Sequence, residues 1–114
     1  MKAYLDHQIV GDYASAWAML SPAMQSSWQT LAAFTIAEAG FQPTAKEGYT
    51  LTANPKDYMS LTDWLAGQPF ASAIDTQNAV LILVQWTALP NNNAGWEMWV
   101  ANPTPAGWEL YEVR

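Results

Sequence analysis

Ala79-Val80-Leu81-Ile82-Leu83-Val84-Gln85-Trp86-Thr87-Ala88-Leu89 is the most strand-like segment of the chain. Over its first half, aliphatic and β-branched residues follow one another without polar alternation, as in a strand covered on both faces. Trp96 to Ala101 and Trp108 to Val113 then read as two further strands, with Glu97, Glu109 and Glu112 set among large apolar residues. Asn91-Asn92-Asn93-Ala94-Gly95 reads as a turn between the first two, and the Pro-containing stretch Asn102 to Gly107 as a loop before the third. Connections of about six residues are too short for a parallel crossover, so the three strands form an antiparallel meander.

Upstream, the character changes by degrees. Phe70 to Thr76 is a weaker strand candidate. Ser60-Leu61-Thr62-Asp63 matches a capping box ahead of Trp64-Leu65-Ala66, which predicts one or two helical turns stopped by Gly67 and Pro69. Gly48-Tyr49-Thr50-Leu51-Thr52-Ala53 alternates like a half-buried strand and closes at Asn54-Pro55. The first forty residues are helical. Tyr4, Leu5, Gln8 and Ile9 form a short amphipathic stretch ending at Gly11. Asp12 caps a second helix whose Tyr13, Trp17, Leu20 and Met24 share one stripe. Ser21-Pro22 interrupts that stripe, with Ser as N-cap and Pro at the first helical position. A further helix runs from about Leu31 to Ala39, with Thr30 as cap, Leu31, Phe34 and Ala37 or Glu38 on successive turns, and Gly40 as its left-handed terminator.

Helices followed by an antiparallel meander give an α+β layout, N-terminal helices packed on a curved antiparallel sheet, in one domain over residues 1–114. The 114 residues carry four Lys or Arg against ten Asp or Glu, a formal charge of −6. That balance argues against phosphate-backbone binding, so no nucleic-acid partner is expected. With no Cys, disulfides, thiolate zinc ligands and Cys nucleophiles are excluded. The six-residue run from Ala79 to Val84 is far short of a bilayer span, so no membrane insertion is expected. Met1-Lys2 opens directly into the amphipathic stretch without a leader. The chain thus reads as cytoplasmic by default, or as an exported domain trimmed of its signal, with the compartment undetermined.

The opening Tyr4-Leu5-…-Gly11-Asp12-Tyr13-Ala14-…-Trp17-…-Leu20-Ser21-Pro22 resembles the N-terminal helical hairpin of the nuclear-transport-factor-2-like superfamily. The closing Trp96-Glu97-Met98-Trp99-Val100-…-Gly107-Trp108-Glu109-Leu110-Tyr111-Glu112-Val113 resembles its terminal hairpin. The resemblance implies a cone, with a bent sheet wrapped over a helix and a pocket at its open end. Tyr13, Trp17 and Leu20 would line that pocket from the helices, and inward members of Trp86, Trp96, Trp99 and Tyr111 from the sheet. Strand parity stays open, because a one-residue slip exchanges the faces. The fold also hosts enzymes and non-enzymatic domains alike, so activity does not follow from it.

No catalytic set emerges. His7, beside Asp6, is the one imidazole for acid–base work, and it sits on a helix surface. No nucleophile elbow accompanies it, and no His, Cys or Asp-rich cluster suggests a metal or other cofactor. Among the remaining acids, Asp12 and Asp63 serve as caps, Asp75 lies at a strand end or turn, and Glu97, Glu109 and Glu112 mark a solvated sheet face. The expected function is therefore non-enzymatic binding of a small apolar or flat ligand, or of another protein, in an aromatic-lined pocket. Tyr13, Trp17, Trp86, Trp96, Trp99 and Tyr111 are the candidate contacts. Two-sided apolarity of Val80 to Val84 adds the expectation of a homodimer through the sheet. The alternative is a cofactor-free isomerase, dehydratase or hydrolase using a pocket carboxylate or His7. It requires a titratable group with a perturbed pKa in an apolar wall, beside a partner hydroxyl.

Overall fold

The computed structural model describes residues 1–89 and 95–114. Its order is α1 (Lys2–Val10), α2 (Tyr13–Met19), α3 (Pro22–Trp28), α4 (Leu31–Ala45), β1 (Tyr49–Ala53), α5 (Leu61–Leu65), a 3-10 turn (Ala71–Ala73), β2 (Val80–Trp86), β3 (Trp96–Thr104) and β4 (Gly107–Glu112). The strands form one open antiparallel sheet in the order β1-β2-β3-β4. The chain is thus α+β, with its helices ahead of the meander. Among the described residues no helix is long and apolar enough to cross a membrane.

Local chemistry sets most boundaries. Gly11, at φ 81°, ends α1 in the left-handed region that glycine enters without steric cost. The Asp12 carboxylate accepts from Ser15 N–H, Ser21 Oγ from Met24 N–H, and Thr30 Oγ1 from Ala33 N–H. Ser60 Oγ accepts from Asp63 N–H, the N-cap bond of the capping box, and also donates to the Asp63 carboxylate. Gly95 is required sterically, since a Cβ there would lie 1.7 Å from the Leu89 carbonyl oxygen. The rest of the turn expected at Asn91–Gly95 lies outside the described residues.

Three boundaries depart from expectation. Helix α4 does not stop at Gly40 but runs on to Ala45, through Pro43. Its last turn has partners: Phe41 packs edge-on against Trp86, Gln42 Nε2 donates to Ile9 O, and Ala45 is buried. Tertiary contacts outweigh a weak local stop signal. Phe70 to Thr76 is not a strand. Phe70 and Ile74, four apart, both face the sheet across the 3-10 turn. Buried Asn102 accepts from Asp75 N–H and donates to Ala73 O, satisfying backbone that a ladder would otherwise take. Strand β3 continues through Asn102 to Thr104, paired with Gly107 to Glu109 on β4 where a loop was expected. Strand β1 is an edge with Thr50 to Ala53 exposed, so it is less buried than its alternation suggests.

The sheet is covered on both sides by this one chain. Helices α1, α2 and α4 pack with Val84, Trp86, Trp99, Ala101 and Leu110. On the other side Leu65, Phe70 and Ile74 from the β1–β2 connection cover Leu81, Leu83, Met98 and Val100.

Candidate functional site

The register puts Val84 opposite Glu97, and Trp99 opposite both Ile82 and Glu112. Glu97, Trp99 and Glu112 therefore share the helix side of the sheet with Trp86. Above them lie Tyr4 and Gln8 from α1, and Glu38 and Phe41 from α4; Met24 and Trp28 from α3 complete the wall with Leu20. The elements enclose a cavity of about 40 Å³. At roughly 10–15 Å³ of such volume per water, it holds about three.

Glu97 is the fixed member. Its two oxygens accept from Trp86 Nε1 at 2.9 Å and Trp99 Nε1 at 2.8 Å. Gln8 Nε2 donates to the Glu38 carboxylate and, at 3.3 Å, to the Tyr4 hydroxyl. Burial, and next the charge of Glu97, push Glu38 up to about 7. Burial, followed by the charges of Glu97 and Glu38, pushes Glu112 up to about 8. Burial also drives the Tyr4 hydroxyl far above its ordinary range, with Glu38, Glu112 and Glu97 adding to the effect. Among the described residues no Lys, Arg or His lines the cavity, so these carboxyls face one another without a counter-charge from those walls. Among the described residues, no group of three or more His, Cys, Asp or Glu is set to hold a metal ion.

The cavity has a neighbour. An open groove of about 380 Å³ runs between α3 and the Gln68-Pro69-Phe70 segment, and it shares Met24, Trp28 and Glu112 with the cavity. Glu112 thus stands where the two spaces meet. A separate apolar groove of about 280 Å³ lies at the other end of the sheet, between Met1, Met19, Val80, Ile82 and exposed Trp108.

Of the residues expected at a pocket, Trp86, Trp99 and Leu20 line this cavity. Tyr13 is buried in the helix-side core, its hydroxyl without a hydrogen-bond partner among the described residues, and Trp17 is half-buried against Phe34, ring centres 5.5 Å apart. Trp96 and Tyr111 occupy the opposite face. Trp96 lies with Tyr58 and Trp64 under the Arg114 guanidinium, and Tyr111 packs on Phe70. His7 is partly exposed, 3.6 Å from Asp12, and does not reach the cavity. Asp6 pairs with Lys2 and accepts from Tyr49 Oη; the Lys2 bond, then Tyr49, holds its carboxyl below the ordinary value. Asp75 accepts from Asn78 and Gln77 in its turn.

The reading of Glu97 and Glu112 as solvated sheet-face residues is wrong. Both point under the helices, and on β4 Glu109 and Glu112 stand three apart, so with side chains alternating every residue they take opposite faces and cannot mark one solvated face together. Glu109 alone lies on the other face, accepting from Tyr111 Oη. The missed residues Tyr4, Gln8 and Glu38 carry a helical signal. Tyr4 and Gln8 are four apart beside buried Leu5, while Glu38 stands four after Phe34 and three before Phe41. Comparison with protein-family models, with curated proteins and with solved structures finds no match to this chain.

Proposed function

We propose that the chain is a non-enzymatic small-ligand-binding domain with the cone architecture of the nuclear-transport-factor-2-like superfamily, and that its ligand is an organic amine bound as the ammonium ion. One observation carries the reading: Glu38, Glu97 and Glu112 meet in an aromatic-walled cavity that, among the described residues, no cationic side chain lines. Carboxylates taken out of water need a counter-charge or a proton. An ammonium head is about the size of the waters the cavity holds, and its substituent would lie along the groove past Met24 and Phe70. Aromatic walls lower the local dielectric and are common neighbours of bound ammonium groups. The order of helices and meander and the Gly11-Asp12-Tyr13 break support the architecture.

The probe is n-butylammonium, with n-butanol and butyrate as neutral and anionic isosteres. The Trp86 and Trp99 indole N–H signals report on Glu97. Saturable shifts with butylammonium alone are expected, tightening from about pH 6 to pH 9 as the ligand replaces protons on Glu38 and Glu112. Equal shifts with butanol, or none with any probe, overturn the reading.

A second reading has its own observation. Glu112, its carboxyl raised to about 8, stands at the mouth of a cavity that also contains the Tyr4 hydroxyl. An acid poised near neutral pH beside a hydroxyl suits proton transfer in a cofactor-free isomerase or dehydratase. The room for about three waters and the surplus of carboxyls favour binding instead. Turnover of a carbonyl compound that is lost in Glu112→Gln, with folding intact, would reverse that order.

A further inference from the structure

We propose that α3 is a proton-gated lid between the groove and the cavity, seated while the carboxyls of Glu112 and Glu38 are protonated and lifted when they ionise. The proposal rests on the cavity and not on what fills it, so it stands or falls apart from the amine. Met24, Trp28 and Glu112 are common to both spaces, which makes α3 and its seat on β4 the partition between them.

Helix α3 is also the wall most easily moved. It has seven residues, none of them buried, whereas α1, α2 and α4 each bury at least two. Breaks flank it. Ser21 is extended before it, and Gln29 after it holds φ 74°, a left-handed value that strains a non-glycine residue. Ser21 N–H is anchored to Leu110 O, which marks the hinge end. The helix itself is seated by Gln25 Nε2 on Trp17 O, by Trp28 edge-on against Phe34, and by Met24 Sδ accepting the Glu112 N–H at 3.3 Å.

The charges supply the force. The titratable groups facing the cavity are Tyr4 from α1, Glu38 from α4, Glu97 from β3 and Glu112 from β4. From α3, Pro-Ala-Met-Gln-Ser-Ser-Trp adds no charge of either sign. Each ionisation therefore adds negative charge beside Glu97 with no compensating cation among the described lining residues. Admitting water relieves the repulsion, and the loosest wall yields first.

Hydrogen exchange tests this on the intact protein. Rates at about pH 6 and pH 9, corrected for intrinsic exchange, are compared for amides of Met24–Gln29 and of α4. We expect α3 to lose protection at least about tenfold relative to α4 at the higher pH, and the Glu38→Gln/Glu112→Gln variant to show no such difference. Parallel loss in both helices, an unchanged α3, or a difference that persists in the variant overturns the lid. Should the double variant not fold, the wild-type Met24 methyl resonance replaces it. It must titrate with a midpoint between pH 7 and 8, and a flat signal counts against the proposal.

Discussion

On the helix side of β3, Glu97 and Trp99 look into a cavity; one residue along, Met98 and Val100 on the other side are sealed beneath Leu65, Phe70 and Ile74. The same three strands thus build a dry core and an acidic hollow back to back. The dry face closes because its cover is a connection that fits to the strands: Asn102 ties Ala73 and Asp75 to β3, and Asn54 accepts the Leu81 N–H. The helix face cannot close in this way. Its covering helices bring Glu38, Gln8 and Tyr4 to the same place as Glu97 and Glu112, and polar groups need hydrogen bonds or water. Tight packing and an unfinished charge balance are therefore properties of opposite faces of one sheet.

The largest expected effect tests whether the connection is core or mere covering. Phe70 is buried and packs on Tyr111 with ring centres 4.7 Å apart. Phe70→Ala should cost about 3–5 kcal/mol in chemical denaturation, equally at pH 5 and pH 9. A cost under about 1 kcal/mol would mean that the outer face is not a second core.

The acidic face should answer to pH instead. Glu38 and Glu112 have ordinary values of 4.5 and stand at about 7 and about 8 in the folded chain. The folded state binds their protons more tightly, so the stability they contribute is fully present below about pH 4.5. It is lost as pH rises through 7 and 8, a fall on the order of 2–5 kcal/mol between pH 5 and pH 9. Asp6, Asp12 and Asp75 are held below 3.8, mainly by side-chain hydrogen bonds, and act the other way, losing their contribution only as pH falls below about 4. Denaturation midpoints that rise steadily to pH 9 would contradict the buried acids.

A narrower test isolates one of them. Glu112→Gln keeps the shape and removes the charge, so it should stabilise the protein by about 1–3 kcal/mol at pH 9 and by less than about 0.5 kcal/mol at pH 5. An equal effect at both pH values would assign the change to packing.

How far this contrast was legible in the sequence depends on the length scale of each signal. Caps and stops act over three or four residues, so Asp12, Ser21, Thr30 and Ser60 identify themselves, as does Gly11. The meander follows from short connections. Strand phase has no such local marker: Glu97 inward and Glu97 outward have the same period, and only the register Val84 opposite Glu97 chooses between them. The end of α4 depended on contacts of Phe41 and Gln42 with residues more than thirty positions away, Trp86 and Ile9. The acidic cavity needed three elements at once, and each carboxylate alone looks like surface.

The smallest effect concerns association. Apolar residues on both faces of β2 suggest a homodimer through the sheet, yet both faces are packed within one chain. Pairing through the sheet has the edge of β1 to use, where Leu51 is 36% exposed. A charged side chain on such an edge opposes strand pairing between molecules. If two copies pair there, sedimentation velocity at high protein concentration shows a dimer that Leu51→Lys dissociates, with folding stability changed by less than about 0.5 kcal/mol. A wild-type monomer under the same conditions removes the homodimer. The sheet's apolar residues would then serve the two intramolecular faces alone.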